Sequence, residues 1–518
     1  MSENNNKKIV KNTLYLYIRT FFTMLISLYT SRVVLSVLGV NDYGIYNVIG
    51  GIAGSFSFLS SMLSNATQRY LNVAIGQNDK KEANHVFNMN MLIYLIYAFV
   101  SILIVEIGGA WFIENKMILA PERVDAAYWC LHSTVIILFV SLVSSVYESV
   151  LIARENMKVY AYMGIYDAIM KLLIVFIVSI ITFDKLKTYA VLIALMSISA
   201  RLIPTIYTII HYEETKLKYY WDTYSFKSMS KFISWNFIGT VVFILNDQGM
   251  NMLLNIFFGP AVNAARGLSV QVKTAVSNFA MGFFTAVRPQ IVKSYAAGDT
   301  SRFTELIFNS GKFTFFLLWL ICLPVMLRID NILLFWLGNV PDWTGKFVVW
   351  ILIFNLINCS FCDPMWQGMQ AIGDLKKYIS IGSFIYLLAF PATWIAFKLN
   401  GSPLLAFQIL VIIRVVYFMV TMQIFRNRSY FPLSEYAQIV LFPVFKVVIF
   451  SLLLSVLVNE AMPDSFIASV GCCLLSVIIV ISSVFIVGLN HSERIILLET
   501  IKKKLCRHER MQGTIDLL

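Results

Sequence analysis

The sequence predicts an all-α polytopic membrane protein with about 14 transmembrane helices. Three observations predict it. Apolar stretches follow one another along almost the whole chain, each close to the ~20 residues that a helix needs to cross ~30 Å of hydrocarbon. Hydrophobic residues make up 58% of the chain and charged residues 14%, a balance that suits lipid and excludes an ordinary soluble domain. Positive charge is also distributed unevenly. Both tails and every second loop together hold about 25 of the 41 Lys and Arg, and the alternate loops hold far fewer. That asymmetry places both termini in the cytoplasm. It also accounts for the net charge of +12 without invoking nucleic acid.

The expected spans run 13–38, 45–69, 89–113, 128–152, 161–183, 189–210, 232–258, 267–287, 311–329, 346–370, 378–398, 403–425, 439–458 and 466–489. The start, with Lys7, Lys8 and Lys11, has no cleavage-site pattern, so the first span is read as retained. Outer connections are short: Gly39 to Gly44 joins the first two spans, and Leu399 to Pro403 joins the eleventh and twelfth. The longest outer segments, 114–127 and 330–345, are too short for a catalytic domain. The longest polar linker, 211–231, divides a first lobe (1–210) from a second (232–425). Residues 426–490 supply two further helices and 491–518 a cytoplasmic tail.

The two lobes read as parallel repeats. Gly39 and Asn41 in one outer turn match Gly259 and Asn263 in the other. After the next span, Arg69, a Gly-Gln-Asn-Asp turn and Phe87-Asn88 match Arg288, an Ala-Gly-Asp turn and Phe308-Asn309. Six helices per copy orient both copies alike, the arrangement of rocking-bundle transporters.

Seven cysteines, mostly within spans, imply no disulfide framework, and Cys359-Ser-Phe-Cys362 reads as helix packing. The five histidines lack metal-ligand spacing, so no metal or cofactor is expected. Ionisable groups at membrane depth are costly and therefore face a cavity or a partner. Polar stripes at helical spacing carry Arg19, Thr23, Ser27 and Thr30; Ser57, Ser61, Ser64 and Gln68; Asn236, Thr240, Asp247, Asn251 and Asn255; and Arg266, Ser269, Lys273 and Ser277. Facing one another, they would line a wet, cationic cleft suited to an anionic substrate. Arg19, Arg32, Arg69, Arg266, Lys273 and Arg288 are the candidate phosphate and sugar ligands. Asp247, with Asn251 near it, and Asp363 before Pro364 are the candidate cation-coupling groups, for Na+ or H+. Pairing of such an acid with a buried Arg or Lys is the structural alternative. Glu106, Glu148, Asp167, Lys171, Arg201, Arg414 and Lys446 could form further pairs.

Leu38-Gly-Val-Asn-Asp-Tyr-Gly-Ile-Tyr46, Gly259 to Gly267, Ile332 to Pro341, Ala371-Ile-Gly-Asp374 and Pro432 to Tyr436 occur in an order that resembles the Wzx-type polysaccharide (O-antigen) repeat-unit flippases, grouped with the MATE-like multidrug exporters and the lipid II flippase. The resemblance covers nearly the full length. It implies two six-helix MATE-like lobes in a V, two added C-terminal helices, and a place in a prokaryotic cytoplasmic (inner) membrane. It also implies export of an undecaprenyl-diphosphate-linked oligosaccharide by alternating access, within lipopolysaccharide-type biosynthesis and without bond-making chemistry. The expected partners are the lipid-linked oligosaccharide, membrane lipids and other polysaccharide-assembly membrane proteins, with no nucleic acid. MATE-like exporters use acids in helices 7 and 10 for coupling, where Asp247 and Asp363 stand. The alternatives are a MATE-like drug exporter, for which an acidic or aromatic cleft is expected, and a membrane-embedded polysaccharide polymerase.

Overall fold

The computed structural model describes residues 2–77, 79–154, 156–223, 242, 246–373, 376–429, 431–495 and 499. Within them it describes side chains except at 2–21, 53, 55–62, 65, 66, 69, 73, 76, 157, 160, 161, 279–286, 288, 289, 293, 296, 428 and 429. The described chain is α-helical throughout. Eleven helices among the described residues are long and apolar enough to cross a membrane, and the protein is a multi-pass membrane protein. The 232–258 span lies mostly outside the described residues.

Helix α1 covers Ser2–Gly76 and holds both of the first two expected spans, interrupted at Gly39 (φ 80°). The expected outer turn of several residues is thus a single left-handed glycine, a conformation without penalty only where Cβ is missing. The second matched turn has the same device: Gly259, at φ 81°, separates helical residues 246–258 (α6) from α7, Pro260–Ala296. Pro260, whose ring presets a helical φ, restarts the helix at once. Asn41 and Asn263 are therefore helical, not loop, residues. The turns that end these helices match too. Asp79 caps α2 (Lys80–Asn115) through the amides of Lys81 and Glu82, and Asp299 caps α8 (Thr300–Leu327) through that of Arg302. Phe87 and Phe308 are buried at corresponding places beyond.

The remaining helices are α3 (Val124–Ala153), α4 (Met157–Ile180), α5 (Lys185–His211), α9 (Ile329–Leu337), α10 (Thr344–Ile357), α11 (Asp363–Ile372), α12 (Lys376–Leu387), α13 (Ala389–Lys398), α14 (Leu405–Ser429), α15 (Leu433–Tyr436), α16 (Phe442–Ala461) and α17 (Phe466–Ser483). Helix α9 falls where an outer loop was expected; its Ile-Leu-Leu-Phe-Trp-Leu run buries Leu333 and Leu337 one helical turn apart on one face. Five-residue π turns at Asn358–Cys362 and Ala437–Leu441 precede helices with proline in the first turn, Pro364 and Pro443. Proline lacks the N–H that would reach the carbonyl four residues back, and one wide turn accommodates the ring.

The chain divides into two compact units. The first comprises Met1–Val272, Trp336–Phe347 and Ile379–Ile413. Here α3 packs between α1, α2 and α5. Leu63, Leu71, Phe87, Tyr94, Val146 and Val150 form one core cluster. The start of the expected linker is pinned to this unit. Asn84 donates to the carbonyls of Glu214 and Lys216, Asn88 accepts from the amide of Lys218, and Arg154 pairs with buried Glu214 at 2.7 Å. The second unit comprises Lys273–Phe335, Val348–Tyr378 and Arg414–Leu518. Its core gathers Ile307, Phe308, Met365, Met369, Tyr378, Phe425 and Tyr436. Two buried cations tie α8 and its end to the last helices: Lys312 to Glu493 at 2.5 Å, and Arg328 to Asp464 at 2.6 Å with the carbonyls of Asn459 and Met462.

Candidate functional site

Among the described residues, polar and charged side chains from the expected stripes form a cluster in each unit. The first lies where α6 and α7 meet the second half of α1. Arg266, 8% exposed, donates from Nη2 to Asp247 Oδ1 and to the Asp247 carbonyl, both at 2.8 Å. Gln248 Nε2 donates to Asp247 Oδ2 at 3.0 Å. Asn263 Nδ2 donates to the carbonyl and the Oδ1 of Asn251, at 2.7 and 2.8 Å. Asn251 Nδ2 reaches the Asn47 carbonyl at 3.4 Å. Gly51 makes this packing possible, since a Cβ there would stand 2.3 Å from Gln248 Oε1 and 2.7 Å from Asn251 Nδ2. These bonds fix the amide orientations and leave three buried acceptors, Asn246 Oδ1, Gln248 Oε1 and Asn263 Oδ1, without a donor among the described residues. Oxygen acceptors around a carboxylate suit a hard cation or a proton.

The second cluster is built on the π turn between α10 and α11. Lys273 Nζ lies 5.4 Å from the centroid of the buried Phe354 ring, and the Arg414 guanidinium lies 5.6 Å from the same centroid. Tyr417, one turn along α14, holds that guanidinium from 4.5 Å. Asp363 opens α11 and receives Asn358 Nδ2 at 3.3 Å; Lys273 and Arg414 are both within its electrostatic reach. Ser277 Oγ and Cys359 Sγ both donate to Asn355 Oδ1, at 2.8 and 3.5 Å. Asn355 is 1% exposed, and its Nδ2 has no partner among the described residues. Cys359 and Cys362 are free and buried within the turn, as packing residues would be. The Ser360 carbonyl, which Pro364 cannot reach, faces α8 at Gly311, where a Cβ would approach it to 2.9 Å.

Of the anion ligands expected from the sequence, Arg266 and Lys273 thus enter clusters, one in each unit. Arg32 is exposed on α1. The side chains of Arg19, Arg69 and Arg288 lie outside the described residues, as do those of Ser57, Ser61, Asn236 and Thr240. The expected acids divide likewise: Asp247 and Asn251 belong to the first cluster and Asp363 to the second. Several stripe residues bond inside their own unit: Ser64 bonds Ser149 at 2.7 Å, Asn255 accepts from the Ile118 amide at 3.2 Å while its buried Nδ2 has no partner among the described residues, and Ser269 is buried against Ala265 and Thr344. In an apolar interior, small polar groups bind one another across helices. Sequence reasoning had Arg414 only among unassigned charges; its ring partner Phe354 lies on another helix, and periodicity carries no signal for that. Two further pairs, Glu148–Arg201 at 2.5 Å and Asp167–Lys171 at 2.7 Å, balance other intramembrane charges. Among the described residues no group of three or more His, Cys, Asp or Glu could hold a metal ion.

This fold has solved counterparts. The chain superimposes on the lipid II flippase MurJ in an inward closed conformation with a TM-score of 0.68 at 17% identity, covering 91% of this chain and 98% of that one. A multidrug resistance MATE family transporter of the MOP superfamily, in its inward-facing conformation, matches with a TM-score of 0.65 at 14% identity, over 82% of this chain and 99% of that one. A MOP superfamily transporter from Pyrococcus furiosus, with a binding pocket of reverse polarity, matches at 0.58 and 15% identity, over 82% and 96% of the two chains. The chain therefore has the fold of the MATE- and MurJ-type MOP transporters. No family model and no curated protein matches the sequence.

Proposed function

We propose that the protein is a flippase for undecaprenyl-diphosphate-linked oligosaccharide repeat units of the O-antigen type. It works in a prokaryotic cytoplasmic membrane with both termini in the cytoplasm. The observation that carries the reading is the placement of two cations, Lys273 and Arg414, on one buried ring, Phe354, beside Asp363, within a fold shared with a lipid II flippase. A cationic drug would be repelled there; a diphosphate would be attracted. The lobes, 1–210 and 232–425, rock about the head group while the polyprenyl tail stays in the bilayer, and 426–490 add two helices to make fourteen. Arg19, Arg32, Arg69, Arg266, Lys273 and Arg288 bind diphosphate and sugar. Asp247 is the principal cation-coupling group, aided by Asn251 and the orphan acceptors beside it, with Asp363 a second acid. No bond is made or broken.

The test is translocation of a fluorescent lipid-linked oligosaccharide by the full chain in vesicles. Expected is movement across the bilayer that falls about tenfold or more with Arg19→Ala or Lys273→Ala at unchanged protein abundance, with Arg19→Lys restoring part, since a point charge replaces a fork. Efflux of a cationic dye without lipid translocation would instead identify a drug exporter, and a lengthened glycan a polymerase.

A further inference from the structure

The second cluster joins two cations, one acid and one orphan amide donor around a single aromatic ring, in the half-buried interior of one compact unit. Lys273, Arg414 and Asp363 each keep part of their surface open, whereas Phe354 and Asn355 beneath them are buried. Tyr417 stacks on the Arg414 guanidinium, so its fork of donors is already oriented and less entropy is lost when it binds. Ser277 and Cys359 both donate to Asn355 Oδ1. Its buried Nδ2 has no acceptor among the described residues. Asp363 is held by Asn358 through one long bond of 3.3 Å and a longer one of 3.5 Å, and both cations lie within its electrostatic reach.

We propose that Lys273, Arg414 and Asn355 Nδ2 form an oxyanion-binding site floored by Phe354, in which Asp363 is the resident counter-ion that an incoming anionic group displaces. The inference rests on the flippase reading and deepens it: Arg414 becomes an anion-recognition residue, and Asp363 sets the affinity of the site. A carboxylate fixed beside the two cations competes with the ligand at every encounter. It keeps the empty site from trapping a buried, uncompensated charge, and it keeps the ligand from binding too tightly to leave. The ligand group is a phosphate or a carboxylate, since both offer the two parallel oxygens that a guanidinium fork engages. A diphosphate linkage supplies the first and an acidic sugar the second.

The experiment measures equilibrium binding of two probes, geranyl diphosphate and glucuronate, to the full chain in detergent at pH 7, for the wild type, Arg414→Gln, Arg414→Lys and Asp363→Asn. Expected is tighter binding by Asp363→Asn, by about tenfold, and at least about tenfold weaker binding by Arg414→Gln, with Arg414→Lys between it and the wild type. A gain of affinity cannot come from a misfolded variant, so Asp363→Asn keeps the test decisive even where Arg414→Gln folds poorly. Affinity unchanged or weaker in Asp363→Asn, or binding of neither probe, overturns the inference. The pattern with glucuronate alone supports the site and removes the diphosphate from it. Lipid translocation in vesicles that is intact in Asp363→Asn, without any change in probe affinity, would leave the flippase reading standing and this inference refuted.

Discussion

Arg266 and Asp247 are bound to each other. One guanidinium nitrogen of Arg266 donates at 2.8 Å both to the Asp247 carboxylate and to its backbone carbonyl. The cation stands nineteen residues along the chain from the acid, beyond the Gly259 turn, so the contact closes α6 onto α7. The pair unites a residue expected to bind phosphate with one expected to couple cations. Loss of Arg266 leaves a carboxylate at membrane depth without its neutraliser. Arg266→Gln is expected to lower stability in detergent by about 2–3 kcal/mol, toward the lower figure because the Asp247 side chain is 37% exposed. Asp247→Asn should cost about 1 kcal/mol, since an amide oxygen and the carbonyl still accept from Arg266. Thermal unfolding of the two single variants and the double variant checks this; strictly additive losses would mean that the pair is not coupled.

Arg123 holds Asp42, just past the Gly39 kink, and Asp184, the cap of α5. Burial alone would raise the Asp184 pKa, but the Lys187 amide and the Arg123 guanidinium outweigh it and hold this carboxyl below its ordinary value. The folded pKa is therefore lower than the unfolded one, about 3.9. Stability from this group is complete above the unfolded value and is lost as pH falls through the folded one. Arg123→Gln should cost about 2 kcal/mol near pH 7 and should flatten the fall of melting temperature between pH 5 and pH 3. An equally steep fall in the variant would place the acid sensitivity elsewhere.

The linker gives a topology test. Tyr219 follows the segment pinned by Asn84 and Asn88 and is 86% exposed; Leu399, in a short connection of the opposite expected side, is 77% exposed. In a cysteine-free background, Tyr219→Cys is expected to react with a membrane-permeant maleimide in intact cells and not with an impermeant one, and Leu399→Cys with both. Labelling of the Tyr219 position by the impermeant reagent would reverse the cytoplasmic placement of linker and termini.

How much of this was legible beforehand differs by level. The helices were, because lipid forces about twenty apolar residues per crossing and the chain obeys. The Gly39 and Gly259 turns were located by their matched sequences, although their length was not: a run of small and polar residues looks like a loop even where one glycine makes the whole turn. Asp42 was seen only as a turn residue, for its partner Arg123 lies 81 positions away. Arg414 was one unassigned charge among several until α14 brought it to Phe354. Helical spacing tells which residues share a face; it does not tell which helix that face meets. For the same reason the spacing that puts Ser64 on a polar stripe carries no sign that its hydroxyl meets Ser149.

Energy coupling tests the first cluster most directly. Asp247 lies among acceptors without a donor among the described residues, Asn246 Oδ1, Gln248 Oε1 and Asn263 Oδ1, and it is paired with Arg266. Under the proposed coupling role, an arriving cation would take the place of Arg266 at this carboxylate, and its departure would restore the pair. The two arrangements would exclude one another, as a coupling device requires. A charge moved across the full field at 100 mV contributes about 2.3 kcal/mol, enough to bias the alternation substantially. Asp247→Asn should remove this exchange while leaving probe binding at Lys273 and Arg414 unchanged. In vesicles the variant is expected to move lipid-linked oligosaccharide down its own gradient at a measurable rate, but to gain less than about twofold from an imposed Na+ or proton gradient. The wild type should gain tenfold or more, about 1.4 kcal/mol of useful driving force. Gradient-driven translocation at the wild-type rate in Asp247→Asn would make Asp247 a structural partner of Arg266 alone and would move the coupling site elsewhere in the chain.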